Sequence, residues 1–464
     1  MGFCNGIFHR AIGTVVCIRL TSLRGAAGVF QWRRRAPNDG KHEPVSNAWP
    51  RAAWVIALGM SFSGSAAAQT EQLSVLPESG AAMGMVGGRL ANVADPTALR
   101  HSPTMMLNIL KPDLQLNLGA WRANVSYISP AAEAVRLEDP WKYLGSLYYV
   151  HPVKPGELAF GIGLSTPFGL SFQYPRDSVF KYVLPHSATL LTVDVTPTVA
   201  ARVNKHVAVA AGLDIVYSSL EIKQDFPWRA VTLVPGTPDG EFKFDGDGWG
   251  YGGFASLRID PTPKQRITIT GHLPISIRYD GDFKAGNFPA PLGALGFSER
   301  SAFKSRIKYP GKIAVGYGID VTDKVTLGAD FEWADNSVHE IIPLEIANNQ
   351  PLLGTDRLIL KWHDSISIGA GMQWQAMPRT ALRFGYMYTE TSMPNDTFTP
   401  AVASNDRHIV STGVGYKEGP HTLDFAYSFV RMADRHVSEN QQPRFIGDYK
   451  FSWHILTLSY RYSF

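Results

Sequence analysis

Asp448–Phe464 reads DYKFSWHILTLSYRYSF, and the second half of this stretch decides how the rest is read. Leu456, Leu458, Tyr460, Tyr462 and Phe464 share one face; Thr457, Ser459, Arg461 and Ser463 share the other. That is period-two alternation, a strand with an apolar and a polar side. A soluble edge strand seldom exposes three aromatics at alternate positions. In a barrel embedded in a membrane, the same strand sets its aromatics at the lipid interface and its polar row toward the lumen. One strand does not exclude a β-sandwich, so the remaining chain has to choose.

Working backward from this stretch, fourteen alternating segments can be marked from about Asp113. They centre near Leu116, Leu147, Gly161, Val193, Ala211, Gly252, Thr270, Val315, Leu327, Ile366, Phe384, Ser411, Phe425 and Thr457. One of the cleanest sets Ile267, Ile269, Gly271, Leu273, Ile275 and Ile277 against Arg266, Thr268, Thr270, His272, Pro274, Ser276 and Arg278. Short turn-rich connections, such as Asn204-Lys205, Thr322-Asp323-Lys324 and Met377-Pro378-Arg379, alternate strictly with long ones, such as 170–186, 227–246, 338–356 and 391–405. A membrane barrel sorts its loops in this way, short on the periplasmic side and long on the extracellular side, whereas a sandwich has no reason to. The expected fold is all-β: a transmembrane antiparallel barrel of about 14 strands over 113–464.

Composition agrees. Only 18% of the 464 residues are charged, while 43 Gly, 18 Tyr, 24 Phe and 11 Trp favour β structure over a soluble helical protein. No apolar run of about 18 residues offers a spanning helix. The two cysteines, Cys4 and Cys17, leave no thiol chemistry downstream. The net charge of +4 is an N-terminal matter: the first 68 residues hold 8 of the 44 Lys+Arg and 2 of the 40 Asp+Glu, leaving 36 against 38. The remainder is near neutral, which removes the argument for nucleic-acid binding.

Ala52–Phe62 is an apolar stretch of signal-peptide length after Arg51, and Ala66 and Ala68 supply an A-x-A cleavage site. The expected organisation is an upstream extension over 1–50, unstructured or a start-site artefact, then a cleaved signal peptide over 51–68. Residues 69–112 do not alternate and are rich in Gly and Ala (Gly80, Gly84, Gly87, Gly88). Their apolar content (Met83, Met85, Val86, Met105, Met106, Leu107) favours an N-terminal plug inside the lumen over a disordered tail.

These features together resemble the FadL-type outer-membrane transporters of long-chain fatty acids and other hydrophobic compounds. The resemblance rests on the Gly/Ala-rich segment running to Ser102-Pro103-Thr104, and on Thr166-Pro167-Phe168-Gly169-Leu170. It rests also on Gly248-Trp249-Gly250-Tyr251-Gly252, on Tyr309-Pro310, and on Leu327 through Trp333. Ser102 and Thr104 depart from the Asn-Pro-Ala usual there. The terminal Phe464, with aromatics two and four positions upstream, resembles the C-terminal signal of bacterial outer-membrane barrels. The resemblance implies passive uptake of hydrophobic small molecules across the outer membrane, with a pocket above the plug and a sideways exit at a kinked third strand. It implies as partners the hydrophobic ligand, outer-membrane lipids and lipopolysaccharide, and the barrel-assembly machinery through Phe464, with the barrel a monomer. The alternatives are a general porin, or a surface adhesin or receptor built on the long loops.

Candidate lateral-gate and plug residues are Gly161, Gly163, Pro167, Ser102 and Pro103. Gly weakens a strand and Pro removes a ladder donor, so Gly161 to Pro167 marks either a gap in the wall or an ordinary bulge. Candidate ligand-binding residues are Phe168, Arg278, Lys312 and Arg383. The three cations fall on polar parity with Asp330, Glu332 and Asp424; they either capture a carboxylate or form an internal charge ladder, and the near balance of signs favours the ladder. Aromatics of the long connections, among them Phe172, Tyr174, Phe226, Trp228, Phe283, Phe288 and Phe297, line an access groove or build the interfacial girdle. There is no metal-ligand spacing and no nucleophile motif in the mature chain, so no enzyme, cofactor or metal is expected.

Overall fold

The computed structural model of the chain describes residues 79–402 and 404–464. The upstream extension, the signal peptide and the first residues of the expected plug lie outside the described residues. The wall begins with β1 (Asp113–Ile128), β2 (Trp141–Lys154), β3 (Leu158–Ser165, resumed as Gly169–Gln173), β4 (Ser187–Arg202) and β5 (Val207–Phe226). It continues with β6 (Gly240–Thr262), β7 (Gln265–His272, resumed as Ile275–Ala285), β8 (Arg300–Tyr309, resumed as Lys312–Asp320) and β9 (Val325–Ala334). The last strands are β10 (Ser365–Met377), β11 (Thr380–Thr389), β12 (Arg407–Glu418), β13 (His421–Met432) and β14 (Gly447–Ser463). Neighbours pair antiparallel in chain order, and β1 closes on β14 from Asp113↔Ser463 to Ile128↔Asp448. The result is the closed fourteen-strand barrel the alternation called for. Closure joins the first strand to the last, which is what a sheet surrounded by lipid requires.

Both faces of the wall change character partway up. In β14, Leu456, Leu458 and Tyr460 point outward and are exposed, while Thr457 and Ser459 are buried in the lumen. Nearer the extracellular end the inward residues are Tyr449, Phe451, Trp453 and Ile455, and the outward ones are Asp448, Lys450 and Ser452. The paired β1 changes at the same level. Its inward Asp113, Gln115 and Asn117 give way to Trp121, Val125 and Tyr127, with Trp121 opposite Ile455. A lipid-facing band lies below, and an apolar lumen enclosed by a charged exterior rises above it.

β7 and β8 make the same exchange by turning the backbone over. Below Pro274, Ile267 and Ile269 face outward and Thr268 and Thr270 are buried inside. Above it, Ile275, Ile277 and Tyr279 are buried inside, and Ser276, Arg278 and Asp280 are exposed. β8 repeats the flip at Pro310-Gly311: Ala314 is inward below, and Phe303, Ser305, Ile307 and Tyr309 are inward above. In an unbroken strand an even step keeps a side chain on the same face, so the change from outward Ile269 to inward Ile275 requires the backbone to turn over at the break. Pro cannot donate to a ladder, so both breaks fall where proline stands.

The lower lumen is filled by residues Ser79–Asn108. A short helix (Gly80–Gly84), a turn, a second short helix (Ala98–His101) and a 3-10 turn (Pro103–Asn108) pack almost wholly buried. Glycines on both the wall and the plug make the seat. A Cβ on Gly88 would stand 2.5 Å from Gly371 N, and one on Gly385 would stand 2.5 Å from both Val86 N and Val86 O. Gly87 has φ +84°, and its Cβ would meet Tyr386 O at 2.1 Å, so glycine is required there on both counts. Side chains then tie the segment down. Asp330 accepts from Arg89 N (2.8 Å) and Leu90 N (3.2 Å), Ser459 Oγ accepts from Gly80 N (2.8 Å), and Arg89 donates to Glu332 (2.6 Å).

Candidate functional site

Three interruptions of the wall meet at the level where the plug ends and the apolar lumen begins. Pro167, Leu273 and Pro310 line one small interior cavity of about 90 Å³. Arg100 and His101 of the plug, Phe168 of the β3 break, His272, Lys312 and Glu332 complete its walls. Above it, Phe168 stacks on Tyr309 (centroids 4.2 Å) within a cluster that includes Ile277, Tyr279, Phe283 and Trp228. A second cluster under the extracellular loops joins Tyr127, Phe172, Tyr174, Phe180, Phe398 and Tyr449. The loops are knitted over it by polar contacts. Tyr174 Oη donates to Pro400 O (3.0 Å), and the buried Arg435 donates to Ser404 O (3.0 Å) and Met393 O (2.8 Å). The site is thus a polar chamber of a few water volumes under a packed aromatic column.

Beside it the wall is incompletely laddered. β2 and β3 pair from Lys154↔Leu158 up to Leu147↔Leu164; beyond that, the connection before β2 bonds to β3 at Glu138 N to Gln173 O, 2.9 Å. Between these, Trp141–Ser146 of β2 makes no ladder with 165–172 of β3. The resumed half of β3 pairs only with β4, Gly169↔Leu191 to Gln173↔Ser187. Thr192 staples the break: its Oγ accepts from Phe168 N (3.1 Å) and donates to Phe168 O (2.5 Å). The β6–β7 seam also loses its ladder, between Phe254↔His272 and Asp247↔Asp280, but there β7 laps inward over β6. A Cβ on Gly248 would meet Arg278 O at 1.9 Å, and one on Gly250 would meet Ile277 Cγ1 at 2.6 Å. The alternating glycines of Gly248-Trp249-Gly250-Tyr251-Gly252 accommodate that overlap while Trp249 and Tyr251 face out.

The candidate residues divide. Phe168, Pro167 and Lys312 line the same cavity. Arg383 is elsewhere, bonded to Asp424 (2.6 Å) and Gln373 (2.7 Å) where the first plug helix sits. Arg278 requires a correction: the flip at Pro274 puts it on the exposed outer face, not in the lumen with Lys312. Gly161 and Gly163 are not the kink itself. Both lie in unbroken ladder, opposite Val150 and Tyr148, and the interruption is confined to 166–168. Their missing side chains admit plug residues: a Cβ on Gly161 would stand 3.0 Å from Met106 Sδ, and one on Gly163 would stand 3.3 Å from Leu99 Cδ1. Ser102 and Pro103 are buried in the turn between Leu99 and Met106, where Ser102 O accepts from Met105 N (2.8 Å).

Lumenal cations are held by carboxylates. Lys312 pairs with Glu332, and Arg100 Nε lies 3.5 Å from Asp194. Sequence reasoning missed Arg100 and His101, which no motif marks. It also missed Lys142, buried beside the unladdered interval with Asp139 at 2.6 Å, because 129–142 reads as one of the long connections. Among the described residues one group has metal-like proximity, His186, Asp225 and Glu241. The Arg176 guanidinium already sits against both carboxylates and serves as their cation.

The sequence profile of the family described as outer membrane protein transport protein (OMPP1/FadL/TodX) matches residues 59–464. The chain belongs to this family. Like its members, this FadL-type barrel is an outer-membrane transport protein. It is 21% identical over 338 residues to a long-chain fatty acid transport protein of Escherichia coli O6:H1, covering 66% of this chain and 72% of that one. The crystal structure of a Pseudomonas aeruginosa FadL homologue superposes with TM-score 0.74 at 19% identity, over 84% of this chain and 99% of that chain. That of the Pseudomonas putida toluene transporter TodX gives TM-score 0.64 at 15% identity, over 82% and 97%. At such identities the two structures establish the shared fold.

Proposed function

We propose that this protein takes up hydrophobic small molecules such as long-chain fatty acids and releases them sideways into the bilayer between β2 and β3. The observation that carries this reading is the unladdered interval between Trp141–Ser146 and the Pro167 break, which abuts both the aromatic column and the plug. An apolar solute gains nothing from a water-filled path but much from passing between an apolar lumen and lipid. Unpaired backbone in a lipid-facing wall is costly, and Thr192 relieves part of that cost at the break itself. The packed column implies that the solute enters by displacing aromatic side chains rather than by filling a standing cavity. The E. coli relative's name, long-chain fatty acid transport protein, supports the substrate class. Against a general porin stands the plug, which fills the lower lumen.

The test joins Leu144→Cys to Leu170→Cys with a short bis-maleimide, in a chain whose native cysteines are Cys4 and Cys17 alone. Both leucines pack on the same apolar cluster from opposite sides of the interval. Cross-linking should abolish fatty-acid uptake by whole cells while leaving the folded barrel intact. Uptake undiminished by complete cross-linking refutes the lateral exit. Rapid sugar passage in liposome swelling would favour the porin.

A further inference from the structure

The flips at Pro274 and Pro310 have a second effect, on the outside of the barrel. They turn the polar rows of upper β7 and β8 outward, where with the following loop they enclose a cavity of about 740 Å³. It is lined by the cations Arg278, Lys304, Arg306 and Lys308 and by the carboxylates Asp280, Glu340 and Glu345. Arg278 is directly opposite Arg306 in the ladder, and Lys308 is one pair nearer the membrane, opposite Ser276. Like charges placed directly across a sheet repel, and an anion between them would relieve that repulsion.

Charge pairing along this outer face depends on height. Away from the membrane, Lys223, Lys243 and Lys284 all reach carboxylates, Glu221 or Asp245, and Lys304 reaches Asp280 at 3.9 Å. Among the described residues, none of the three cations nearest the lipid, Arg278, Arg306 and Lys308, has a carboxylate within 4.0 Å. Their level is fixed by the seam with β6, where Arg278 O lies over Gly248, beside the exposed, outward Trp249. Directly below, exposed Leu273 and Ile313 begin the lipid-facing surface. Cations at headgroup height above an apolar wall match an amphiphile that is anionic at the top and acylated beneath.

We propose that this outer-face cavity binds a phosphate group of the outer leaflet's phosphorylated glycolipid, lipopolysaccharide. The two guanidinium groups grip the phosphate oxygens, Lys308 adds charge from the membrane side, and the acyl chains lie along Leu273 and Ile313. Glu340 and Glu345 line the same cavity. The proposal is independent of the transport route, because its three cations, Arg278, Arg306 and Lys308, are on the exposed outer face.

The test uses the full-length purified barrel in nanodiscs, titrated with bisphosphorylated lipid A, its dephosphorylated form and inorganic phosphate, read by native mass spectrometry. The triple variant R278Q/R306Q/K308Q should bind bisphosphorylated lipid A at least roughly tenfold more weakly. K223Q/K243Q/K284Q, which removes the same charge from paired positions, should bind like wild type. Heat-modifiable mobility on gels checks that each barrel is folded, and K308E alone should already weaken binding if the triple variant misfolds. Equal binding by the unpaired-cation variants and wild type overturns the proposal. So does equal affinity for dephosphorylated lipid A, or binding of inorganic phosphate without the lipid.

Discussion

Replacing Asp330 with Ala should release the plug from the wall without unfolding the barrel. Asp330 is fully buried on β9, and its carboxylate accepts from two consecutive plug amides, Arg89 N at 2.8 Å and Leu90 N at 3.2 Å. Arg89 Nη1 lies a further 3.6 Å away. In the Ala variant both amides stay buried beneath the wall with no acceptor, at about 1–3 kcal/mol each. Arg89 keeps Glu332 at 2.6 Å, so the guanidinium is not stranded, and a total near 4 kcal/mol follows. That is close to a thousandfold in the local opening equilibrium. Hydrogen exchange read by mass spectrometry should show the amides around 84–93 losing most of their protection while β9 and β10 amides keep theirs. Asp330→Asn, which keeps one acceptor oxygen, should fall between. In planar bilayers the Ala variant should show ion-conducting openings that wild type lacks. Unchanged plug exchange in a folded Ala variant would refute the view that this carboxylate anchors the plug.

Three further outcomes are expected. Thr192→Val removes both bonds that staple the β3 break, and should raise exchange at 166–168 selectively, costing about 1–3 kcal/mol locally; protection equal to wild type would contradict the staple. His339, in the extracellular segment after β9, packs on Trp362 (4.7 Å), and burial pushes its imidazole from 6.5 down to about 4, the Asn336 backbone opposing. Its neutral ring therefore contributes stability that is full above pH 6.5 and lost as pH falls through 4, about 3 kcal/mol in all. Trp362-sensitive fluorescence of that segment should change over this window in wild type and not in His339→Phe. Lys312→Met should weaken binding of fatty carboxylates about tenfold relative to neutral hydrocarbons if Lys312 meets the ligand's head group; equal effects on both would assign Lys312 to the Glu332 pair alone.

The sequence alone determined the architecture because a lipid-facing wall imposes a local rule on every strand. Leu456, Leu458 and Tyr460 against Thr457 and Ser459 already say which side meets lipid, and the alternation of short and long connections says which end is which. What the sequence could not reveal is a change of face within an unbroken pattern. Ile267 to Ile277 alternate without a fault through Pro274, yet Ile269 meets lipid and Ile277 fills the lumen. The pattern reports only that odd residues are apolar, and both destinations are apolar. Only the backbone reversal, made where proline withholds its ladder bond and β7 laps over the glycines of β6, distinguishes them. The same limit hid the seat of the plug. Gly316, Gly328, Gly371 and Gly385 read as weak strand residues until Gly88, Leu90 and Val86 arrive against them. A missing side chain has meaning only once the atom that occupies its place is known, and that atom lies hundreds of residues away.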